Sequence, residues 1–213
     1  MKKFWGFLLV IVLMTSCGGY QSLLKSNDYN LVYKKAIEYY NKGDYQRAMN
    51  LLDGVRSVFV GQAKAQNIAY YRAFCSYNMK DYQIASDLFK QFIQTYPESS
   101  FAEECLYMMG FCDYKASPKP RLDQQVTEKA IREFQLYLSR YPYSMRKDKV
   151  NTYMDEMRDK LSYKAYLSAK NYYLREHYKA AVISLQNCLK DYPGSKYREE
   201  IMYMLFVSKY QMA

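Results

Sequence analysis

The residue types that carry out enzymatic chemistry are sparse in this chain. Its only histidine, His177, stands at a turn position that Asp44 and Asp81 occupy in two similar segments, so we expect a solvated turn residue. Without a second histidine, the sequence supports neither a histidine–cysteine nucleophile pair nor a histidine metal site. It also lacks a glycine-rich phosphate loop and a Gly-x-Ser-x-Gly motif. We therefore predict a protein that is not an enzyme and has no catalytic residue, metal site or cofactor.

Four cysteines in the body of the chain are candidates for disulfides or for buried thiols. Cys105 and Cys112 would lie about 10 Å apart along one helix, too far for a disulfide. Cys75 and Cys112 occupy equivalent positions of two similar segments and could approach each other across neighbouring helices. Small buried apolar thiols are the alternative. The sequence leaves the disulfide state of these residues open: Cys75, Cys105, Cys112 and Cys188.

The fifth cysteine, Cys17, follows a segment with the pattern of a secretory signal. Two lysines precede an apolar run over residues 4–14, and Thr15-Ser16 lead into the cysteine. The run is too short to cross a bilayer as a stable helix. The pattern resembles a bacterial lipoprotein signal, in which the peptide is cut before a cysteine that becomes diacylated on sulfur and acylated on its amine. The resemblance implies a signal peptide over 1–16 and lipidation of Cys17. The alternative is an ordinary secreted protein.

The composition favours a helical protein that binds anionic or acidic partners. There are 31 Lys and Arg against 21 Asp and Glu, a formal net charge of +10, with 8 Gly and 5 Pro. The basic residues are spread along the chain and form no run of five or six, so we expect no nucleic-acid partner. Residues 17–30, which contain Gly, Ser, Asn and Asp, are predicted to be a lipidated flexible tether.

One spacing of residues recurs along the chain. Pro97, Pro142 and Pro193 each follow an alanine by twelve residues, with Tyr directly before the proline and Ser two residues after it. Small residues suit the crossing of two helices, and proline ends the second helix. This repetition predicts stacked helix–turn–helix units. Further alanine pairs twelve residues apart mark the two helices of a unit: Ala36 and Ala48, Ala73 and Ala85, Ala169 and Ala181.

These positions resemble the tetratricopeptide repeat. The match is carried by Ala73, Ala85, Phe89 and Pro97 in one unit and by Ala169, Ala181, Leu185 and Pro193 in another. It implies an all-α solenoid of about five units over 31–213, with the last one incomplete. The expected units are approximately 31–60, 65–97, 101–142, 146–193 and a partial 197–213.

Two features of the later units stay open at this point. Residues 146–161 are either the start of one long first helix or an additional helix. The fifth unit lacks its second helix, which suggests that the sequence is truncated.

Tyrosines form pairs seven residues apart, one pair in each expected first helix. Residues seven apart share a helix face, and in tetratricopeptide repeats this face of the first helix lines the concave groove. Packing between helices is the alternative for about half of the rings, and exposure is favoured in the first units. The predicted peptide-binding groove comprises Tyr33, Tyr40, Tyr70, Phe74, Tyr77, Tyr107 and Tyr114. The predicted partner-docking surface comprises Tyr166, Tyr173, Tyr203 and Tyr210.

A lipoprotein-type N-terminus followed by such repeats, with Tyr-Pro-x-Ser at the unit boundaries, resembles the BamD family over nearly the whole chain. The resemblance implies a scaffold of the machinery that assembles β-barrel proteins, lipid-anchored in the outer membrane and facing the periplasm. The implied partners are the C-terminal strand of unfolded outer-membrane proteins, at the N-terminal repeats, and a BamA-like barrel protein, at the C-terminal repeats. The alternative is another periplasmic repeat lipoprotein that scaffolds cell-envelope division or pilus assembly.

Replacing the predicted acylation site should release the protein from membranes. In Cys17→Ala the acyl chains that form the anchor can no longer be attached, so the chain should move to the soluble fraction. Fractionation of expressing cells measures this, with Cys188→Ala as the matched control. An unchanged membrane fraction for Cys17→Ala would contradict lipidation.

Overall fold

The computed structural model describes residues 18–213, and Cys17 with the predicted signal segment lies outside them. The chain divides into two compact halves, an N-terminal half that ends at Leu106 and a C-terminal half from Tyr107 to Ala213. Throughout the described part the regular structure is helical. In chain order the helices are α1 (Gly18–Leu24), α2 (Tyr29–Asn41), α3 (Tyr45–Val55), α4 (Ala63–Asn78), α5 (Tyr82–Thr95), α6 (Ala102–Ala116), α7 (Gln125–Arg140), α8 (Lys147–Leu174), α9 (Tyr178–Asp191) and α10 (Arg198–Tyr210).

Helices that follow each other in sequence pack as pairs, as the tetratricopeptide-like fold requires. Helix α2 packs on α3, α4 on α5, and α8 on α9. The crossing points are the predicted small residues, and every paired alanine is fully buried. Four residues after the second small residue of each unit stands a fully buried large side chain that fills the space beside the crossing: Leu52, Phe89, Phe134 and Leu185. The all-α helical-repeat fold predicted from the sequence is confirmed.

The turn within a unit is built the same way three times. One residue adopts a positive φ, namely Gly43 at +80°, Lys80 at +69° and Glu176 at +60°. Glycine adopts this conformation freely, whereas the other two residues do so at some cost in backbone strain. The next residue is the N-cap of the second helix. His177 is one of these N-caps and is exposed, in agreement with its prediction as a turn residue.

The Tyr-Pro-x-Ser motif ends one unit and starts the next. In the second unit Tyr96 is the C-cap of α5, and its N–H donates to the carbonyl of Phe92 at 2.8 Å. The following proline cannot continue the helix. The Ser99 hydroxyl then accepts the N–H of Phe101 at 3.2 Å, where the chain turns towards α6. The same serine contact recurs after the other two prolines, so the motif is a helix stop joined to a helix start.

Helix α8 is a single helix of 28 residues, which settles the open question about residues 146–161. Two lysines on it hold the long loop between α6 and α7. Lys160 donates from Nζ to the Ser117 hydroxyl at 2.6 Å, and Lys164 donates to the carbonyl of Leu122 at 2.8 Å. Partial burial lowers the pKa of Lys160. The lengthened loop of the third unit and the lengthened helix of the fourth unit therefore stabilise each other.

The segment predicted to be a flexible tether contains helix α1, which packs against the first unit. The Tyr20 ring lies edge-on to Tyr39 at 5.9 Å between centroids. Its hydroxyl accepts a hydrogen bond from Nδ2 of Asn50 at 3.2 Å, and the Arg47 guanidinium lies 5.4 Å from the ring. For residues 18–24 these contacts correct the tether prediction, because the aromatic side chain gains more by packing than by staying in water.

The four cysteines described are all free and buried. Burial raises the pKa of the Cys75 and Cys105 thiols to about 12, so both are protonated at neutral pH. The buried-thiol alternative is the one that the structure shows.

Gly110 is the position where an added methyl group should destabilise the fold. A Cβ there would lie 2.8 Å from Cδ1 of Phe134, which is itself fully buried. Gly110→Ala should therefore lower the free energy of unfolding by ~1–3 kcal/mol. Gly54→Ala is the matched control, because nothing lies within 4 Å of that Cβ and helix propensity alone should stabilise the chain. Urea unfolding measures both, and equal midpoints for Gly110→Ala and the parent would contradict the crossing geometry.

Candidate functional site

An open groove of about 500 Å³ lies in the N-terminal half between α2 and α4. Five aromatic or aliphatic side chains form its walls: Tyr33, Ile37, Tyr70, Tyr71 and Phe101. Four polar side chains contribute its remaining lining: Lys34, Glu38, Asn41 and Asn67. Spacing of three or four residues, one helical turn, places these side chains on one surface of α2 and one surface of α4. The groove therefore combines flat ring surfaces with hydrogen-bonding groups, as binding sites for peptides do.

Tyr70 is the fixed centre of the aromatic wall. Its ring centroid lies 4.5 Å from that of Phe74 and 4.6 Å from that of Phe101. Its hydroxyl donates to Oε2 of Glu104 at 2.8 Å. Burial, followed by this hydrogen bond to a carboxylate, raises the pKa of Tyr70, so the phenol stays protonated. A ring packed against two other rings and held at its hydroxyl cannot reorient easily, so this wall is ordered before any ligand binds.

The groove lining contains one cation, Lys34. Glu38 also lines the groove, but its carboxylate accepts a hydrogen bond from Lys35 at 2.7 Å. That hydrogen bond lowers the pKa of Glu38, so the carboxylate stays ionised and paired with a residue outside the groove. The exposed ammonium of Lys34 is thus the cation that faces a ligand. An anionic group at one end of an apolar segment would complement this arrangement.

A family model described as outer membrane lipoprotein, and named YfiO, matches residues 25–213 of the chain. The chain belongs to the YfiO family. No curated protein gives a match to it. The family consists of outer membrane lipoproteins, which agrees with the lipoprotein signal and with the outer-membrane location that the resemblance implied. Among the helices of residues 18–213, none is long and apolar enough to cross a membrane.

In this YfiO-family chain, two of the predicted groove residues line the groove of the N-terminal half, namely Tyr33 and Tyr70. Tyr40 instead packs edge-on against Tyr45 at 5.5 Å and Tyr71 at 4.9 Å. Phe74 and Tyr77 pack against the second helix of their own unit, on Phe89 at 5.0 Å and Tyr82 at 5.9 Å. The spacing of seven placed the two tyrosines of each pair on one helix face, but it could not say which neighbour each ring meets.

The remaining predicted groove residues lie in the C-terminal half and are packed. Tyr107 is buried, and its ring lies 5.9 Å from that of Tyr137. Tyr114 stacks on Tyr153 with centroids 4.4 Å apart, and its hydroxyl donates to Glu156. For these rings the packing alternative describes the geometry.

The predicted docking residues divide between packing and exposure. Tyr166 is buried and stacks on Tyr197 at 4.3 Å, and Tyr173 is half-buried. Tyr203 and Tyr210 are 64% and 73% exposed. The rings of Tyr33 and Tyr40 on α2 are half-buried, because they pack against Phe59 and Tyr71, which follow them in the chain.

Helix α10 carries one residue that the alignment of tyrosines overlooked. Phe206 stands three residues after Tyr203, and its side chain is 71% exposed. With Tyr203 and Tyr210, Phe206 forms an exposed aromatic face of α10. The four earlier first helices have a small residue at the same position: Ala36, Ala73, Gly110 and Ala169.

Sequence reasoning also overlooked Lys34, Ile37, Asn67 and Phe101 as groove residues. A signal was present for Ile37, which is four residues after Tyr33 and therefore on the same helix face. Phe101 could not be found this way, because it lies in the turn before α6 and reaches the groove only through the fold.

The packed tyrosines make stability sensitive to alkaline pH. Burial raises the pKa of Tyr40 from 10.0 to about 12, and the hydrogen bond to Glu156 together with burial raises that of Tyr114 to about 12. The folded chain holds these protons more tightly than the unfolded chain, so this stabilisation is complete below pH 10.0 and is lost as pH rises towards 12.

Thermal unfolding at about pH 8 and about pH 11 measures this effect. Tyr40→Phe and Tyr114→Phe should each lose less stability than the parent between the two values, because the phenol that ionises has been removed. Tyr203→Phe, at an exposed ring, is the control. Equal losses in all four chains would show that the packed rings do not couple folding to proton release.

Proposed function

We propose that this lipoprotein is a non-catalytic scaffold of the machinery that assembles β-barrel proteins in the outer membrane, and that it faces the periplasm. Its groove in the N-terminal half receives the C-terminal strand of unfolded barrel proteins. Family membership supports the outer-membrane setting. The observation that carries the binding role is the groove itself, in which Tyr33 and Tyr70 flank apolar space beside the ammonium of Lys34.

An extended strand suits the chemistry of this groove. Successive side chains of a strand point to opposite sides, so every second side chain can enter the space between the rings. Asn41 and Asn67 line the same groove and can pair with the backbone of such a strand. The terminal carboxylate of the last strand complements Lys34. Ring surfaces accept varied apolar side chains, which fits a receptor that serves many substrates.

The second proposed partner is a BamA-like barrel protein, which docks on the C-terminal part of the chain. Support comes from the aromatic face of α10, where Tyr203, Phe206 and Tyr210 are exposed by more than 60%. Exposed aromatic residues grouped on one helix face are typical of protein interfaces. Tyr166 is excluded from this surface because it is buried against Tyr197.

Removing the cation of the groove should weaken the binding of strands that end in a free carboxylate. Lys34→Gln should raise the Kd of a barrel C-terminal peptide by up to about fivefold, the effect of one solvent-exposed charge pair. The same peptide with a C-terminal amide should bind the parent and the variant alike. Fluorescence anisotropy on the full chain measures both peptides.

Two variants on the same helix serve as controls for that measurement. Lys42→Gln removes an exposed lysine that does not line the groove and should leave the Kd unchanged. Ile37→Ser removes an apolar wall and should weaken the acid and the amide peptide equally. Unchanged binding of both peptides by Lys34→Gln and Ile37→Ser would contradict the proposed groove.

A further inference from the structure

The turn between α7 and α8 projects two apolar side chains fully into water. Tyr143 and Met145 are 98% and 103% exposed, the highest values among the large apolar residues described. Both belong to the segment that follows Pro142 at the boundary between the third and fourth repeats. An isolated exposed apolar residue needs no explanation, but two on one turn with no contact to the fold form a distinct surface.

The backbone of this turn is ordered by the residue between the two side chains. Ser144 hydrogen-bonds through its hydroxyl to the hydroxyl of Tyr137 and accepts the N–H of Arg146 at 3.2 Å. Its own N–H donates to the carbonyl of Tyr141 at 3.1 Å. With the serine side chain turned into the protein, the neighbours on either side of it are held pointing outwards. Their exposure is therefore part of the fold and not a loop fluctuation.

The repeat architecture does not require apolar residues here. In the turn after Pro97 the two positions are Glu98 and Ser100, and in the turn after Pro193 they are Gly194 and Lys196. The three turns share the tyrosine cap and the inward serine, so they differ in what they present to the surroundings. Of these three turns, only the one after Pro142 presents an aromatic ring and a thioether.

The charges next to this turn are mostly positive. Within residues 140–149 four basic side chains stand against one carboxylate, that of Asp148. Lys147 and Lys149 are exposed on the first turn of α8. Arg146 lies over the Tyr107 ring at 4.9 Å, so its position is fixed by the protein. The sequence thus surrounds two protruding apolar side chains with cations.

We propose that this turn, Tyr143 to Lys149, contacts the surface of an anionic phospholipid bilayer, with Tyr143 and Met145 inserted at the headgroup level. A convex tip with apolar side chains and flanking lysines matches the depth profile of a membrane interface, where rings and chains enter and ammonium groups stay with the phosphates. A protein partner would need a pocket for two fully protruding side chains, whereas a bilayer accepts them without a preformed shape. This contact is separate from the proposed peptide groove and does not depend on it.

A bilayer contact of this kind is weak by itself but effective in an anchored protein. Acyl chains at Cys17, as predicted from the sequence, would keep the chain at the membrane and raise the local concentration of the turn there. The turn would then restrict how residues 107–213 are oriented at the membrane, which the anchor at Cys17 alone does not do.

A tryptophan placed in the turn reports the contact directly. The only tryptophan of the sequence, Trp5, lies in the predicted signal peptide, so Tyr143→Trp in the background of the mature chain carries a single probe. We expect its emission to shift to the blue and to be quenched by brominated acyl chains when the full-length chain is reconstituted in phosphatidylglycerol–phosphatidylethanolamine vesicles. Tyr203→Trp in the same background, at another exposed ring, should show neither change.

Two further measurements separate insertion from simple proximity. Adding Lys147→Gln, or using phosphatidylcholine vesicles, should reduce the quenching about threefold or more, because each lysine near an anionic surface contributes to the attraction. Adding Met145→Ser should reduce it as well, by removing the second inserted side chain. Emission of the Tyr143→Trp chain that is identical with and without anionic vesicles would overturn the proposal, and so would equal quenching of the Tyr203→Trp chain.

Discussion

The close crossing of two helices at small residues is the constraint on which the rest of this structure depends. Where a first and a second helix meet, the chain has fully buried alanines or Gly110, and a methyl group on that glycine would collide with Phe134. Close crossing leaves the larger side chains to pack beside the contact. It therefore decides which faces of the helices stay available for aromatic residues, and so where a groove can form.

The repeat fold could be predicted because its signals are local in sequence. The alanine pairs twelve residues apart and the Tyr-Pro-x-Ser stop each lie within a short stretch of sequence, and the structure uses both as predicted. The docking of α1 and the length of α8 were less accessible. They depend on contacts such as Tyr20 with Tyr39 and Lys160 with Ser117, between residues far apart in the chain. No local pattern marks these pairs.

The same distinction explains the candidate site. Tyrosine spacing identified a helix face, and Tyr33 and Tyr70 lie in the groove of the N-terminal half. It could not distinguish rings that line the groove from rings such as Tyr40 that brace the next helix. Lys34 and Phe101 carry no periodic signal, because one is a single lysine without a counterpart in the other repeats' alignment and the other lies in a turn. Aromatic residues here serve both as the core between repeats and as the binding surface, and only neighbouring contacts separate the two uses.

The central claim, that the groove beside Tyr70 receives the last strand of barrel proteins, is tested most directly by site-specific photo-crosslinking in cells. A photoreactive residue at Ile37, inside the groove, should give adducts whose cross-linked peptides map to the C-terminal strand of outer-membrane barrel proteins. The same residue at Ile84, which is 57% exposed on α5 and outside the groove, should give few. Adducts from Ile84 but not from Ile37, or adducts from Ile37 only with cell-envelope division proteins, would contradict the account.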